Sequence, residues 1–98
     1  MRKKVVWTKK ASTSLDHYCG VIADESPSSA KKVRREIVLT AKSLSKNPEL
    51  YQLDEYYPDN PGDIRRFFRW NYRVVYQVRE EEVLILNIYH TSRQPNRI

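Results

Sequence analysis

Glycine is almost missing from this chain, with two in 98 residues. That excludes the glycine-rich loops that cradle nucleotide phosphates or dinucleotides. Cysteine occurs once, at Cys19, so no internal disulfide can form, and no Cys/His spacing suits a structural zinc. Lysine disappears after Lys46. No apolar run approaches the roughly 18–20 residues needed to span a bilayer. The basic opening Met1-Arg2-Lys3-Lys4 leads into an apolar stretch too short for a secretion signal. The expectation is one small domain in a reducing cytoplasm, with no membrane partner, no metal and no bound cofactor.

What is present is charge, unevenly placed. Residues 1–47 carry 11 basic against 4 acidic side chains. Residues 48–63 carry five acids and no base, and residues 64–98 carry seven arginines against three glutamates. Lysine is a solvated point charge, whereas the planar arginine fork recognises phosphates and carboxylates bidentately and stacks on rings. The lysine-rich half therefore reads as a soluble helical surface, and the arginine-rich third as a recognition surface.

Residues 4–8 form an extended segment, with Val5, Val6 and Trp7 favouring a strand. Ala11, Leu15, Tyr18 and Ile22 then recur at helical spacing, with Cys19 beside them. Ser26-Pro27 has the pattern of an N-cap followed by proline at the first helical position. The second helix carries the stripe Ala30, Val33, Ile37, Ala41 and Leu44 and is expected to reach about Lys46, stopped by Asn47-Pro48. Val38 and Leu39 widen its apolar surface beyond one stripe, which predicts cover on two sides. Residues 48–63 are a long Pro/Asp/Tyr-rich connection. Three strands follow over 63–70, 72–79 and 82–90. Alternation puts Ile64, Arg66, Phe68 and Trp70 on one face of the first, and Arg65, Phe67 and Arg69 on the other. Asn71 is the residue expected to adopt the left-handed turn conformation. The last strand is apolar on both faces, which places it inside the sheet.

The fold class is therefore α+β, in the order β-α-α-β-β-β. A two-helix hairpin covers one face of a mostly antiparallel four-stranded sheet, and the other face is left partly open with arginines and aromatics on it. Arginine forks with interleaved rings suit a polyanion.

In its element order, in Asn47-Pro48, in Ile64-Arg65-Arg66 leading to Tyr72-Arg73-Val74-Val75-Tyr76-Gln77-Val78, and in a strand running into His90-Thr91-Ser92-Arg93-Gln94-Pro95, the chain resembles the RelE/ParE superfamily of bacterial type II toxin–antitoxin systems. The His-x-x-Arg-x-Pro ending is similar to the ParE-like, plasmid-stabilisation branch, in which a second arginine commonly stands where Ser92 stands here. The resemblance implies a cytoplasmic, growth-inhibiting toxin neutralised by a cognate antitoxin. It also implies one of two activities: cleavage of mRNA on the ribosome, or poisoning of DNA gyrase without hydrolysis. RelE-like members carry lysines in the connection before the sheet and often end in a catalytic tyrosine. Residues 48–63 hold no lysine, and the tail Pro95-Asn96-Arg97-Ile98 holds no tyrosine.

A metal-independent endoribonuclease needs a base for the 2′-hydroxyl, an acid for the leaving oxygen and cations for the developing charge. His90 is the candidate acid/base, since its ordinary pKa of about 6.5 lets it serve either way. Arg65 and Arg93 complete the candidate catalytic set. Arg66, Arg73 and Tyr89 are the candidate target- or nucleic-acid-binding residues, with Tyr89 able to stack on a base. Val38 and Leu39, beside a basic helical surface, suit an amphipathic, acidic antitoxin segment. His17 is expected to be an exposed helical residue away from the sheet tail, and Cys19 a core residue. The other readings are a non-catalytic nucleic-acid-binding module and a degenerate toxin retained for antitoxin binding and autoregulation.

Overall fold

The computed structural model describes residues 2–93. The elements are β1 (Lys4–Trp7), α1 (Lys9–Ala23), α2 (Pro27–Ser43), β2 (Ile64–Arg69), β3 (Tyr72–Val78), β4 (Glu82–His90) and a closing 3-10 turn, Thr91–Arg93. The sheet order is β1-β4-β3-β2. Only β1 runs parallel to its neighbour; the other two pairings are antiparallel. The expected architecture is thus the observed one, with the doubly apolar β4 inside the sheet. Among the described residues, no helix is long and apolar enough to cross a membrane.

Local chemistry sets the helix starts. Thr8 ends β1 and caps α1, its hydroxyl accepting from the Ala11 amide at 3.1 Å. Ser26 caps α2 by accepting from the Ser29 amide at 3.2 Å, with Pro27 in the first turn. Helix α2 stops at Ser43, three residues before the expected Lys46. The reason is tertiary: Ser45 is drawn out of the helix to β1, its carbonyl accepting from the Lys3 amide at 2.9 Å and its hydroxyl donating to the Lys3 carbonyl at 2.7 Å.

One core fills the space between hairpin and sheet. Ala11, Leu15 and Cys19 of α1 and Ile37 and Ala41 of α2, with Leu44 beyond them, meet Phe67, Tyr72, Val74, Tyr76, Val83, Ile85 and Ile88. Phe67 is 1% exposed, so truncating it to alanine is expected to cost about 3–5 kcal/mol. Val38 and Leu39 are exposed, so the expected second cover over α2 is absent from the described chain.

Strand β4 carries an extra residue. Tyr76 pairs with Ile85 and Val75 with Asn87, which leaves Leu86 without a partner on β3. Such a bulge re-phases the side chains beyond it. Val83 and Ile85 face the helices before it, and Ile88 faces them after it. Thr8 holds the bulge, its hydroxyl donating to the Ile85 carbonyl at 2.8 Å, with the Leu86 carbonyl at 3.2 Å. Asn87 ties it to α1 by accepting from the Ser14 hydroxyl at 2.6 Å.

The β2–β3 turn is Trp70-Asn71. Here the left-handed residue is Trp70, with φ of 53°, and not the expected Asn71. Closing a two-residue hairpin places the positive angle at its first position, whichever side chain stands there.

Candidate functional site

The sheet sorts the candidate residues onto two faces. On the face away from the helices, Phe68, Arg73 and Tyr89 form one row across β2, β3 and β4, and Arg66 pairs with Val75 in the next row. On the helix side stand Arg65, opposite Tyr76, and His90, opposite Tyr72. Those two are separated along β3 by the four residues from Tyr72 to Tyr76, or about 13 Å at strand spacing. Alternation splits the last two candidates, and the β4 bulge decides which goes where: Tyr89 to the arginine face and His90 to the helix face.

His90 is packed among rings. It lies edge-on to Tyr72 at 5.1 Å between centroids and 6.2 Å from Tyr18 of α1. Its amide donates to the Tyr18 hydroxyl at 3.3 Å, and its Nδ1 sits 2.7 Å from the Ser92 hydroxyl. His17 is exposed as expected, with its ring 5.4 Å from that of its neighbour Tyr18.

Arg65 donates to the Tyr51 carbonyl at 2.6 Å, fastening the connection to the sheet. The side chain of Arg93 and the tail from Gln94 onward, including Pro95, lie outside the described residues.

The face away from the helices is more covered than the sequence implies. The acidic connection folds over it. The connection is anchored first on the helix side, where Tyr76 donates to the Pro48 carbonyl at 2.9 Å; this buried phenol is pushed up to about 12, chiefly by burial. Residues 52–54 then run antiparallel to the edge of β2, with Leu53 bridging Arg65, the Asp54 amide donating to the Ile64 carbonyl and the Arg66 amide donating to the Gln52 carbonyl. Asn60 closes the return: its amide donates to the carbonyls of Asp54 and Ile64, and its oxygen accepts from the Gly62 and Ile64 amides. Gly62 takes φ of 107°, a conformation that side chains resist.

This course brings acids onto the arginines. Asp54 (2% exposed) pairs with Arg73 (6% exposed) at 3.4 Å between Oδ1 and Nε. That is an ion-pair distance, but Arg73 Nε makes no hydrogen bond. The Arg73 guanidinium is stacked over Tyr89 at 4.6 Å and Tyr56 at 5.1 Å. Burial pushes the Asp54 carboxyl above the usual carboxylate value, and the Arg73 charge only partly offsets that. Arg66 is held in a fork by Glu55, at 3.1 Å to each oxygen, and by the Gln52 side-chain oxygen Oε1 at 3.1 Å, and it lies over Phe68 at 4.8 Å. The Arg66 hydrogen bonds hold the Glu55 carboxyl below its usual value.

Asp54 and Glu55 were not among the expected site residues. The signal was present: a base-free acidic segment directly before an arginine-rich strand. Phe68 at 39% and Trp70 at 54% exposure leave apolar surface at the hairpin tip. Among the described residues, no group of three or more His, Cys, Asp or Glu is gathered to hold a metal.

A family model described as the ParE toxin of type II toxin–antitoxin systems, parDE, matches residues 5–95. No curated protein sequence matches. Among solved structures, the chain is similar to the chromosomal ParDE toxin–antitoxin system from P. aeruginosa, with 24% identity over 91% of this chain and 96% of that one and a TM-score of 0.72. It is also similar to the RelBE2 toxin–antitoxin complex from Mycobacterium tuberculosis, with 19% identity, coverage of 92% and 99% and a TM-score of 0.64. The YoeB dimer from Staphylococcus aureus is alike at 19% identity, coverage of 92% and 99% and a TM-score of 0.62. At these identities the structural likeness concerns the fold, and the match of the family model along nearly all of the sequence is the stronger finding. The chain belongs to the ParE toxin family, within the RelE/ParE superfamily of type II toxin–antitoxin toxins.

Proposed function

We propose that this toxin inhibits growth by binding DNA gyrase as a poison, not by cutting mRNA on the ribosome, and that a cognate antitoxin neutralises it. The observation that carries the reading is the dispersal of the groups a ribonuclease would need. His90 lies among Tyr18 and Tyr72 on the helix side, Arg65 stands about 13 Å away along the strand direction, and Arg66 and Arg73 lie on the opposite face, already paired with acids. General acid–base catalysis needs these groups within hydrogen-bond reach of one phosphate.

A poison acts through a protein contact instead. The β2–β3 hairpin tip offers one, with exposed Trp70 held in a backbone conformation unfavourable for a bulky residue. Exposed tryptophan is a common anchor at protein interfaces, and retained backbone strain is concentrated at functional positions. Antitoxin binding falls to α2, where Val38 and Leu39 form an exposed apolar strip on the helical half that carries 11 basic residues. An acidic amphipathic segment matches that surface, and its association rate is expected to fall with salt. An association rate indifferent to salt contradicts the electrostatic part.

The deciding experiment combines purified toxin, gyrase and supercoiled plasmid, with cleaved DNA trapped by detergent. The expected result is toxin-dependent linear plasmid, with mRNA 5′ ends unchanged in cells after induction. New ends at codon positions, lost in His90→Ala or Arg93→Ala, refute the reading and place a ribonuclease at the sheet tail.

A further inference from the structure

The arginine face binds an acidic segment of its own chain, and it binds it imperfectly. Charge-assisted guanidinium–carboxylate bonds normally close to about 2.7–2.9 Å. Asp54 and Arg73 stand at 3.4 and 3.5 Å, and Arg73 Nε is buried with no hydrogen-bond partner. A buried guanidinium with an unsatisfied donor is costly, so this groove would accept a better-fitting anion. Its walls are aromatic. Tyr89 stacks on Arg73, and Phe68, half-open to solvent, stacks under Arg66. Two arginines spaced along a sheet with rings between them are the parts of a single-strand platform, in which phosphates meet guanidinium groups and bases meet ring faces.

We propose that residues 52–56 are an internal latch over a groove for single-stranded nucleic acid formed by Arg66, Phe68, Arg73 and Tyr89, with the Asp54 and Glu55 carboxylates standing where two phosphates would lie. The latch lies along the edge of β2, bonded there by the Asp54 amide to the Ile64 carbonyl and by the Arg66 amide and side chain to Gln52 and Glu55, and its covering ring, Tyr56, is itself exposed. The inference is independent of whether gyrase is the target, because it concerns a different ligand and does not draw on Trp70.

The test measures binding of the full-length chain to a fluorescein-labelled single-stranded oligodeoxythymidine by anisotropy across a salt series. The Asp54→Asn, Glu55→Gln double variant is expected to bind at least tenfold more tightly than the parent at low salt. The slope of log affinity on log salt should steepen by about 1.4, since each phosphate contact on a single strand contributes about 0.7. Adding Arg66→Ala and Arg73→Ala should abolish the gain. Glu80→Gln with Glu81→Gln makes the same charge change at the β3–β4 turn and should leave the slope unaltered. If loss of buried Asp54 prevents folding, Glu55→Gln alone decides: its exposed carboxylate frees Arg66 and should steepen the slope by about 0.7. An unchanged slope in the folded variant, a gain matched by the Glu80/Glu81 control, or a gain that survives loss of both arginines overturns the proposal.

Discussion

Replacing Arg73 by methionine keeps much of its apolar stem and strands Asp54, a carboxylate only 2% exposed, without its counter-charge. Removing one partner of a buried pair typically costs about 3–5 kcal/mol, because the remaining ion stays desolvated. That is a large share of the roughly 5–15 kcal/mol that holds a domain together. At about 4 °C per kcal/mol or more for a chain of this length, the melting temperature should fall by on the order of 12 °C or more. The penalty has a pH signature. A stranded Asp54 can escape its cost by taking up a proton, so the destabilisation should shrink on acidification by up to about 1.4 kcal/mol per pH unit. Adding Asp54→Asn should recover most of the loss. Arg73→Lys separates charge from shape: it keeps the ion pair but gives up the planar stack between Tyr56 and Tyr89, for an expected loss of about 1–2 kcal/mol. Urea denaturation followed by tryptophan fluorescence at pH 7 and pH 5 reads all four proteins. An Arg73→Met cost under about 1 kcal/mol at pH 7, or equal costs at the two pH values, would refute the account of a desolvated pair.

Neighbouring acids should respond to pH in opposite directions. Glu55 is held below its usual value by Arg66, so its contribution is present at neutral pH and lost as the pH falls through that lowered value. Half-exposed as it is, that contribution stays below about 1 kcal/mol, and Glu55→Gln should erase it at pH 7 with no effect in acid. Asp54 is raised above its usual value by burial, so the folded state carries its charge at a cost, and stability falls as pH rises from the usual value through the raised one. Comparing Asp54→Asn with the parent across pH 3–7 checks the sign, and a parent curve that rises with pH more steeply than the variant's contradicts it. Trp70→Asn replaces a bulky left-handed residue by one that tolerates φ of 53° and should raise stability by about 0.5–1 kcal/mol while lowering gyrase poisoning. Stability gained with poisoning intact removes the hairpin tip from the target contact. Leu39→Asp should weaken antitoxin binding at least tenfold by calorimetry without changing the melting temperature by more than a few degrees, since Leu39 is 54% exposed. Unchanged affinity moves the antitoxin off this strip.

The elements were legible in the sequence because their signals are local. Ser26-Pro27 announces α2, the 3.6-residue stripe orients both helices, and alternation in 64–69 assigns Arg65 and Arg66 to opposite faces. Three features were not legible, each for a physical reason. The end of α2 is decided by bonds from Ser45 to Lys3, 42 residues away. The path of the connection is decided by Tyr76 reaching Pro48 and by Arg73 drawing in Asp54, pairings that no local pattern encodes. The bulge at Leu86 hides inside an apolar run, where neither face carries a polar marker to show that the phase has slipped. Of the candidate site, the cluster of Arg66, Arg73 and Tyr89 on one face is what the structure brings together. His90 and Arg65 are placed apart from it, and the acids that occupy it are the part that sequence reasoning passed over.

The single unpaired residue in β4 acts as a frame setter for everything downstream. Every side chain from Ile88 onward occupies the face it does because Leu86 is taken up as a bulge and not given a place in the ladder. Deleting Leu86 would remove the bulge and leave the pairs Val75–Asn87, Val74–Ile88, Arg73–Tyr89 and Tyr72–His90 as they are, whereas straightening the bulge with Leu86 retained would carry His90 to the face of Phe68 and Arg73 and send Tyr89 to the helix side. The histidine of this chain is therefore one residue of register away from its arginines. Straightening that bulge, with no residue added or lost, is the shortest route from an arrangement that keeps His90 apart from Arg66 and Arg73 to one that gathers them on one face. A Thr8→Val variant, which removes the hydroxyl that bonds the Ile85 and Leu86 carbonyls, tests this by NMR: a His90–Arg73 contact in place of the His90–Tyr72 one would show that the two have met.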